Sequence, residues 1–351
     1  MKKKFQESYS PEVQEKTKKN LVWIIVFSIT MMFAGFTSGY IVSMGDNFWV
    51  KIDLPNSFYF STIVIILSSI TLFLAVKAIK KKHIKKVKAF VFATLIFGVL
   101  FAYFQFQGYK QLVNKGAAFV SHIIVDDGRY GDYFEIKKDQ QFLEVDNNQY
   151  AWKGKVLEGD KLEQLQEFAR QFIEFKNGDL QSIKHSDIYT LYYKGEALSF
   201  RKGKIINQKG EYLERLDYER LQHLAQNIID NRADFFIKGE MGKDFNLYYR
   251  GKALDYKNRK LTYDGKELST NLQNKLLRGN SDTSTAYFYI ITFLHLLHVI
   301  AGIIMLLTLL KQSFTGVIME KGGLSLKAGS IFWHFLGVLW LYLLLFLVFI
   351  H

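Results

Sequence analysis

The chain has 351 residues, no cysteine, two prolines, 31 phenylalanines and 20 tyrosines, and a formal charge of +13. Without cysteine there are no disulfides, thiolate metal sites or cysteine-ligated copper centre. The charge would point to a nucleic-acid partner only if it were spread over a soluble surface, and it is not.

The N-terminal tail, MKKKFQESYSPEVQEKTKKN, carries six lysines against three glutamates. It precedes an apolar run over residues 21–44 that is too long for a secretory signal and is followed by no small-x-small cleavage site, so it reads as a retained anchor. Further apolar runs cover 57–79, 89–106, 286–310 and 330–350. Each is about 18 to 25 residues, enough to cross a hydrocarbon core of about 30 Å. The sequence therefore predicts five transmembrane helices.

The loop KAIKKKHIKKVK holds seven lysines and no acid, and LKQSFTGVIMEKGGLSLKAG three lysines against one glutamate. With alternating helices these loops share a side with the tail and sum to +12, by 16 minus 4. The positive-inside rule puts that side in the cytoplasm, so no nucleic acid is expected, and it puts residues 110–283 and the C-terminus outside.

Residues 110–283 are polar and nearly neutral, with 29 basic and 27 acidic side chains, and long enough for an independent domain. Leu143-Glu144-Val145, Leu198-Ser199-Phe200 and Leu254-Asp255-Tyr256 recur at 55 and 56 residues. Each is followed by a turn pair: Lys153-Gly154, Lys209-Gly210 and Asp264-Gly265. LYYKGEALSFRKGKI and LYYRGKALDYKNRKL alternate aromatic and polar residues around turns, the pattern of short hairpins. Leu165, Phe168, Ala169, Phe172 and Ile173 map onto Leu221, Leu224, Ala225, Ile228 and Ile229, each at the period of one buried helix face. The segment reads as an α+β domain of two full strand-plus-helix units and one partial unit.

Three histidines fall inside apolar runs: His295 and His298, at i and i+3 in HLLHVIAG, and His334 in FWHFLGVLW. Counting along the helices puts His298 roughly 18 Å below the outer edge and His334 roughly 6 to 9 Å above the inner one, about one turn apart in depth. Convergence on Zn, Cu or haem iron is one reading; interhelical hydrogen bonding or lipid contact is the other. No apolar helix carries an Asp or Glu to orient the rings for a metal. Gly35 and Gly39 have the spacing that permits close helix approach, and Trp23, Trp49, Trp333 and Trp340 suit interfacial anchoring or packing. His122, His185 and His223 are scattered through the long connection, and Asp126-Asp127 lacks an EF-hand loop. GxxxxGK[ST], GxSxG, HExxH and CxxC are all missing, so no catalytic residue is expected in this chain.

HLLHVIAG, preceded by Tyr289, resembles the H-G-x-H-V-x-x-G signature of subunit III of haem-copper oxidases, with Leu296 for the glycine and Gly302 matching its last position. FWHFLGVLW, with Trp333, His334 and Trp340, is similar to that subunit's W-H-F-x-D-x-x-W. MMFAGFTSGY resembles its M-F-F-A-G-L-F-x-x-Y, Gln105 to Tyr109 its Q-x-x-E-Y, and LPNSFYFSTIVIILSSIT more loosely its P-x-x-N-T-x-x-L-x-x-S-S-x-T helix. Three family carboxylates are missing, at Ile29, Gly108 and Gly337, and the long connection departs from the family's short one.

The resemblance implies a membrane all-α fold, a five-helix transmembrane bundle, here with an inserted α+β repeat domain between the third and fourth helices. Residues 1–109, 110–283 and 284–351 form the expected parts. It implies a non-redox accessory subunit in a bacterial inner membrane, with no cofactor in this chain. Haem and copper belong to the partner subunits I and II, and phospholipid is bound. The inserted domain would meet the electron donor cytochrome or a supercomplex partner. His295, His298, Gly302, Trp333, His334, Trp340, Gln105 and Tyr109 are the expected structural, lipid or subunit contacts. An accessory subunit of nitric oxide reductase, or a membrane-anchored interaction or assembly protein, are the alternatives.

Overall fold

The structure is a computed structural model that describes residues 11–46, 48–120, 128–146, 148–173, 175–176, 179–180, 188–201, 204–234, 236, 238–277, 282–320 and 322–351. His122, His185 and Asp126-Asp127 lie outside the described residues. In chain order the helices are α1 (Pro11–Asp46), α2 (Asn56–Lys80), α3 (Ile84–Asn114), α4 (Asp160–Arg170), α5 (Arg215–Ile229), α6 (Thr270–Leu277), α7 (Thr283–Phe314), α8 (Val317–Glu320) and α9 (Leu324–Phe349). The chain divides into two compact units, one of residues 1–47, 52–119 and 284–351, the other of 48–51 and 120–283.

In the first unit, α1, α2, α3, α7 and α9 are long and apolar enough to cross a membrane. Their outward faces remain apolar, as at Phe27, Ile63, Phe92, Ile304 and Val338, which suits a lipid solvent rather than water. Each is longer than its apolar run, because polar turns extend it past the hydrocarbon. Helix α2 starts after Pro55, whose extended backbone (ψ 137°) sets the entry and whose carbonyl accepts from Phe58 N. It ends in a Schellman turn: His83 N donates to Ala78 O and Lys82 N to Ile79 O, with Lys82 left-handed at φ 58°. α3 ends the same way at Gly116, φ 77°.

The second unit repeats one design three times. Strands Phe134–Lys138, Tyr189–Tyr193 and Phe245–Tyr249 each turn back into a short strand, at Gln141–Phe142, Glu196–Ala197 and Lys252–Ala253. A second hairpin follows, beginning at Glu144, Ser199 and Asp255. The repeated leucine joins the two: Leu143 N donates to Ile136 O, Leu198 N to Leu191 O, and Leu254 N to Leu247 O. α4, α5 and the eight-residue α6 follow in turn. The faces predicted for α4 and α5 are the buried ones, with Leu165, Phe168, Ala169, Leu221, Leu224, Ala225 and Ile228 in a core with Phe134, Ile136, Tyr150, Tyr189 and Leu191.

Lys153-Gly154 and Asp264-Gly265 are two-residue turns with φ positive at both positions, the geometry that matches strand twist. Lys209-Gly210 differs: Asn207 Oδ1 accepts from Lys209 N and Glu211 N, so an Asn side chain closes that loop.

One strand was not foreseen. Phe48–Ile52, between α1 and α2, joins the sheet of Phe245–Tyr249 and Lys252–Ala253. Phe48, Trp49 and Val50 are buried, Phe48 stacks on Tyr249 at 4.6 Å, and the Lys51 ammonium lies 4.5 Å over the Tyr248 ring. Burial lowers the Lys51 pKa.

Candidate functional site

α2 presents a row of hydroxyls to the interior of the first unit. Ser61 Oγ accepts from Gln105 Nε2 of α3 at 2.9 Å, Thr62 Oγ1 from the Trp340 indole of α9 at 2.9 Å, and Ser68 Oγ from the Trp333 indole of α9 at 3.0 Å. Thr71 and Thr94 of α3 share a hydrogen bond at 2.8 Å. These hydroxyls lie on helical turns whose own carbonyls satisfy them as well: Ser61 donates to Phe58 O and Ser68 to Ile65 O. A buried indole N–H with no partner is costly in lipid, so the row fixes α9 and α3 in register against α2.

Close packing around Trp333 depends on Gly98 and Gly302. A Cβ built on Gly98 of α3 would lie 2.8 Å from the Trp333 ring, and one on Gly302 of α7 would lie 2.9 Å from it. Trp333 is wholly buried, its ring held between backbones that only glycine lets approach. At Gly108 a Cβ would come within 2.2 Å of the Phe58 ring. Phe58 in turn packs on Tyr109, Phe288 and Trp340. The position of the family glutamate is thus closed by an aromatic side chain. Gly337 faces Ser69, with Oγ 3.2 Å from its Cβ position, and Ile29 is buried.

The three histidines have separate roles. His295 is wholly buried between Phe101 and Trp340, and its Nε2–H donates to Leu336 O of α9 at 3.0 Å. The proton therefore sits on Nε2, and among the described residues no donor meets the buried Nδ1 lone pair. His298 Nδ1 donates to Leu294 O of its own helix, and its ring meets Phe33 of α1 edge-on at 6.0 Å. His334 lines an apolar groove of about 480 Å³ with Ile65, Ser69, Phe73, Gly337 and Val338. Among the described residues no group of three His, Asp or Glu side chains is arranged to hold a metal. Tyr109 is half-buried, packed against Phe58 and Tyr289.

A fourth histidine escaped the sequence reading. Ile52 N donates to His351 Nε2 at 3.2 Å, so Nδ1 carries the proton and donates to the Tyr40 hydroxyl. Nothing in the final residues, VFIH, announces this contact. Of the tryptophans, Trp23 is exposed on α1 and Trp49 is buried in the second unit, while Trp333 and Trp340 belong to the packing core. Gly35 has open space around it, and Gly39 lies against Tyr287. His223 sits on α5, in the second unit.

The arrangement holds helices together: His295, Gln105, Trp333 and Trp340 each bond a neighbouring helix, and His298 bonds its own. No curated protein matches the chain. Residues 280–351, which contain α7, α8 and α9, match the family model of cytochrome c oxidase subunit III. The C-terminal part is thus similar to cytochrome c oxidase subunit III, in a chain with five helices long and apolar enough to cross a membrane.

Proposed function

We propose that the chain is a non-redox accessory subunit of a respiratory haem-copper terminal oxidase, assembling with and steadying the catalytic subunit and holding phospholipid at their boundary. The observation that carries this reading is the fate of the matched residues. His295, Gly302, Trp333 and Trp340, all within 280–351, are spent on joining α7 to α9 and α9 to α2 and α3. Haem, copper and the chemistry of O2 belong to subunits I and II. The positive-inside asymmetry supports a bacterial inner membrane with the N-terminus in the cytoplasm and the second unit in the periplasm.

Purification of the native complex through a tag on this chain tests the reading. A haem-copper catalytic subunit should co-purify in stoichiometric amount, and mass spectrometry of the intact assembly should show it. Co-purification of a nitric oxide reductase instead would assign the chain to that relative. A second reading has its own support: the 168 residues of the second unit, four from 48–51 and 164 from 120–283, form a substantial fold. If the tagged chain brings down no redox subunit, a membrane-anchored interaction or assembly protein is the better description.

A further inference from the structure

The turn between α2 and α3 concentrates positive charge that nothing on the described chain neutralises. Lys77, Lys80, Lys81, Lys82, Lys85 and Lys86 are exposed, and no ion pair or hydrogen bond of these side chains occurs among the described residues. Lys88, the seventh, lies 4.8 Å over the Phe314 ring at the end of α7. The backbone amides of the turn are already used in the Schellman bonds. A Cβ on Gly323 would lie 2.8 Å from Ile79, so the start of α9 abuts the same turn and adds the positive end of its dipole. Glu15 is engaged by Lys19 at 2.7 Å and Lys327 at 3.4 Å and is not available to the cluster.

We propose that this turn is a binding surface for anionic phospholipid headgroups. Two features favour lipid over an acidic protein. The connection is only Lys81 to His83, between two membrane-crossing helices, so the ammonium groups lie at headgroup depth and do not project into solution. Like charges so crowded repel one another, and a layer of phosphodiesters offsets this from many directions at once, where a single protein carboxylate would meet one or two lysines. A cluster of four to eight lysines beside a membrane helix attracts anionic lipid by about fivefold per lysine. The surface is distinct from the packing core and does not require the oxidase reading, only the membrane one.

The test uses the full chain in vesicles of phosphatidylcholine alone or with one third phosphatidylglycerol, at low and at high salt. A water-soluble amine-acetylating reagent should label Lys80, Lys81, Lys82, Lys85 and Lys86 several-fold more slowly in the phosphatidylglycerol vesicles, and the protection should fade in high salt. Free inorganic phosphate should not reproduce it. Lipid retained after gentle solubilisation should be enriched in phosphatidylglycerol for the wild type and for the fivefold Lys→Arg variant, and not for the fivefold Lys→Gln variant. Equal labelling in both vesicles overturns the proposal. So does an acidic protein that co-purifies with the wild type and is lost from the Gln variant while the retained lipid is unchanged. Because the labelling needs no variant, a Gln variant that fails to insert leaves the decision with the wild type.

Discussion

At Leu336 a backbone carbonyl of α9 accepts the proton of His295, while His298, three residues on, donates to its own helix. The sequence placed both rings on one helix face and could not separate them, because a spacing of three says nothing about which ring meets a neighbouring carbonyl. Expected consequences differ accordingly. His295→Ala loses an interhelical hydrogen bond and the packing against Phe101 and Trp340, and should lower stability in detergent by about 2–4 kcal/mol. His298→Ala should cost under about 1 kcal/mol. Denaturant titration of the full chain compares them, and equal losses would refute the assignment. The glycines give a second contrast. Gly302→Ala forces the Trp333 ring to move and should cost about 1–3 kcal/mol. Gly108→Glu, which would restore the family carboxylate, meets the Phe58 ring and should fail to fold alone. Phe58→Ala in the same chain should relieve part of that loss, because the two residues share one space.

At the level of elements, the apolar runs and the 55-residue repeat were legible because each has a local period, and the helices and hairpins they predicted are present. The strand Phe48–Ile52 was not legible: it is five residues beside an apolar run, and its partner, Phe245–Tyr249, is nearly 200 positions away. The α2 hydroxyl row was missed for a similar reason, since Ser and Thr are ordinary in membrane helices until an indole is found opposite them. Ser68→Ala should strand the Trp333 N–H and cost about 0.5–2 kcal/mol, and Thr62→Val should do the same to Trp340. The same detergent titration reads both, and no loss in either would show the indoles indifferent to their hydroxyls. In the second unit, Lys238 and Asp282 form a fully buried pair at 2.9 Å, one residue before α7 begins. Lys238→Met or Asp282→Asn alone leaves a buried charge and should cost about 3–5 kcal/mol. Lys238→Met with Asp282→Leu should recover most of it, as thermal unfolding of the full chain would show.

For the whole molecule, the insertion of a large domain into one loop is too simple a picture, since the second unit also takes residues 48–51 from the loop before it. Both loops fall on the same side if the helices alternate, which agrees with the lysine asymmetry. Protease added to intact spheroplasts should cut within 110–283 and spare KAIKKKHIKKVK; protection of the long connection would reverse the orientation. Replacing residues 116–280 with a Gly/Ser linker costs little closure entropy, but it also removes the partner of Phe48–Ile52 and bares Phe48, Trp49 and Val50. That deletion alone should therefore aggregate in size-exclusion chromatography, and replacing Phe48, Trp49 and Val50 with Ser, Thr and Ser as well should restore a monodisperse chain. The repaired deletion then isolates what the second unit does. If it docks the electron donor, an assembled oxidase carrying the deletion should keep its rate with an artificial donor and lose rate or affinity with the natural one. Because 29 basic and 27 acidic side chains nearly cancel over 110–283, that docking should rely on shape and aromatic contact, and the difference between intact and deleted complexes should change little between low and physiological salt. Equal rates with the natural donor would exclude docking and leave contact with another complex, or assembly itself, as the work of the domain.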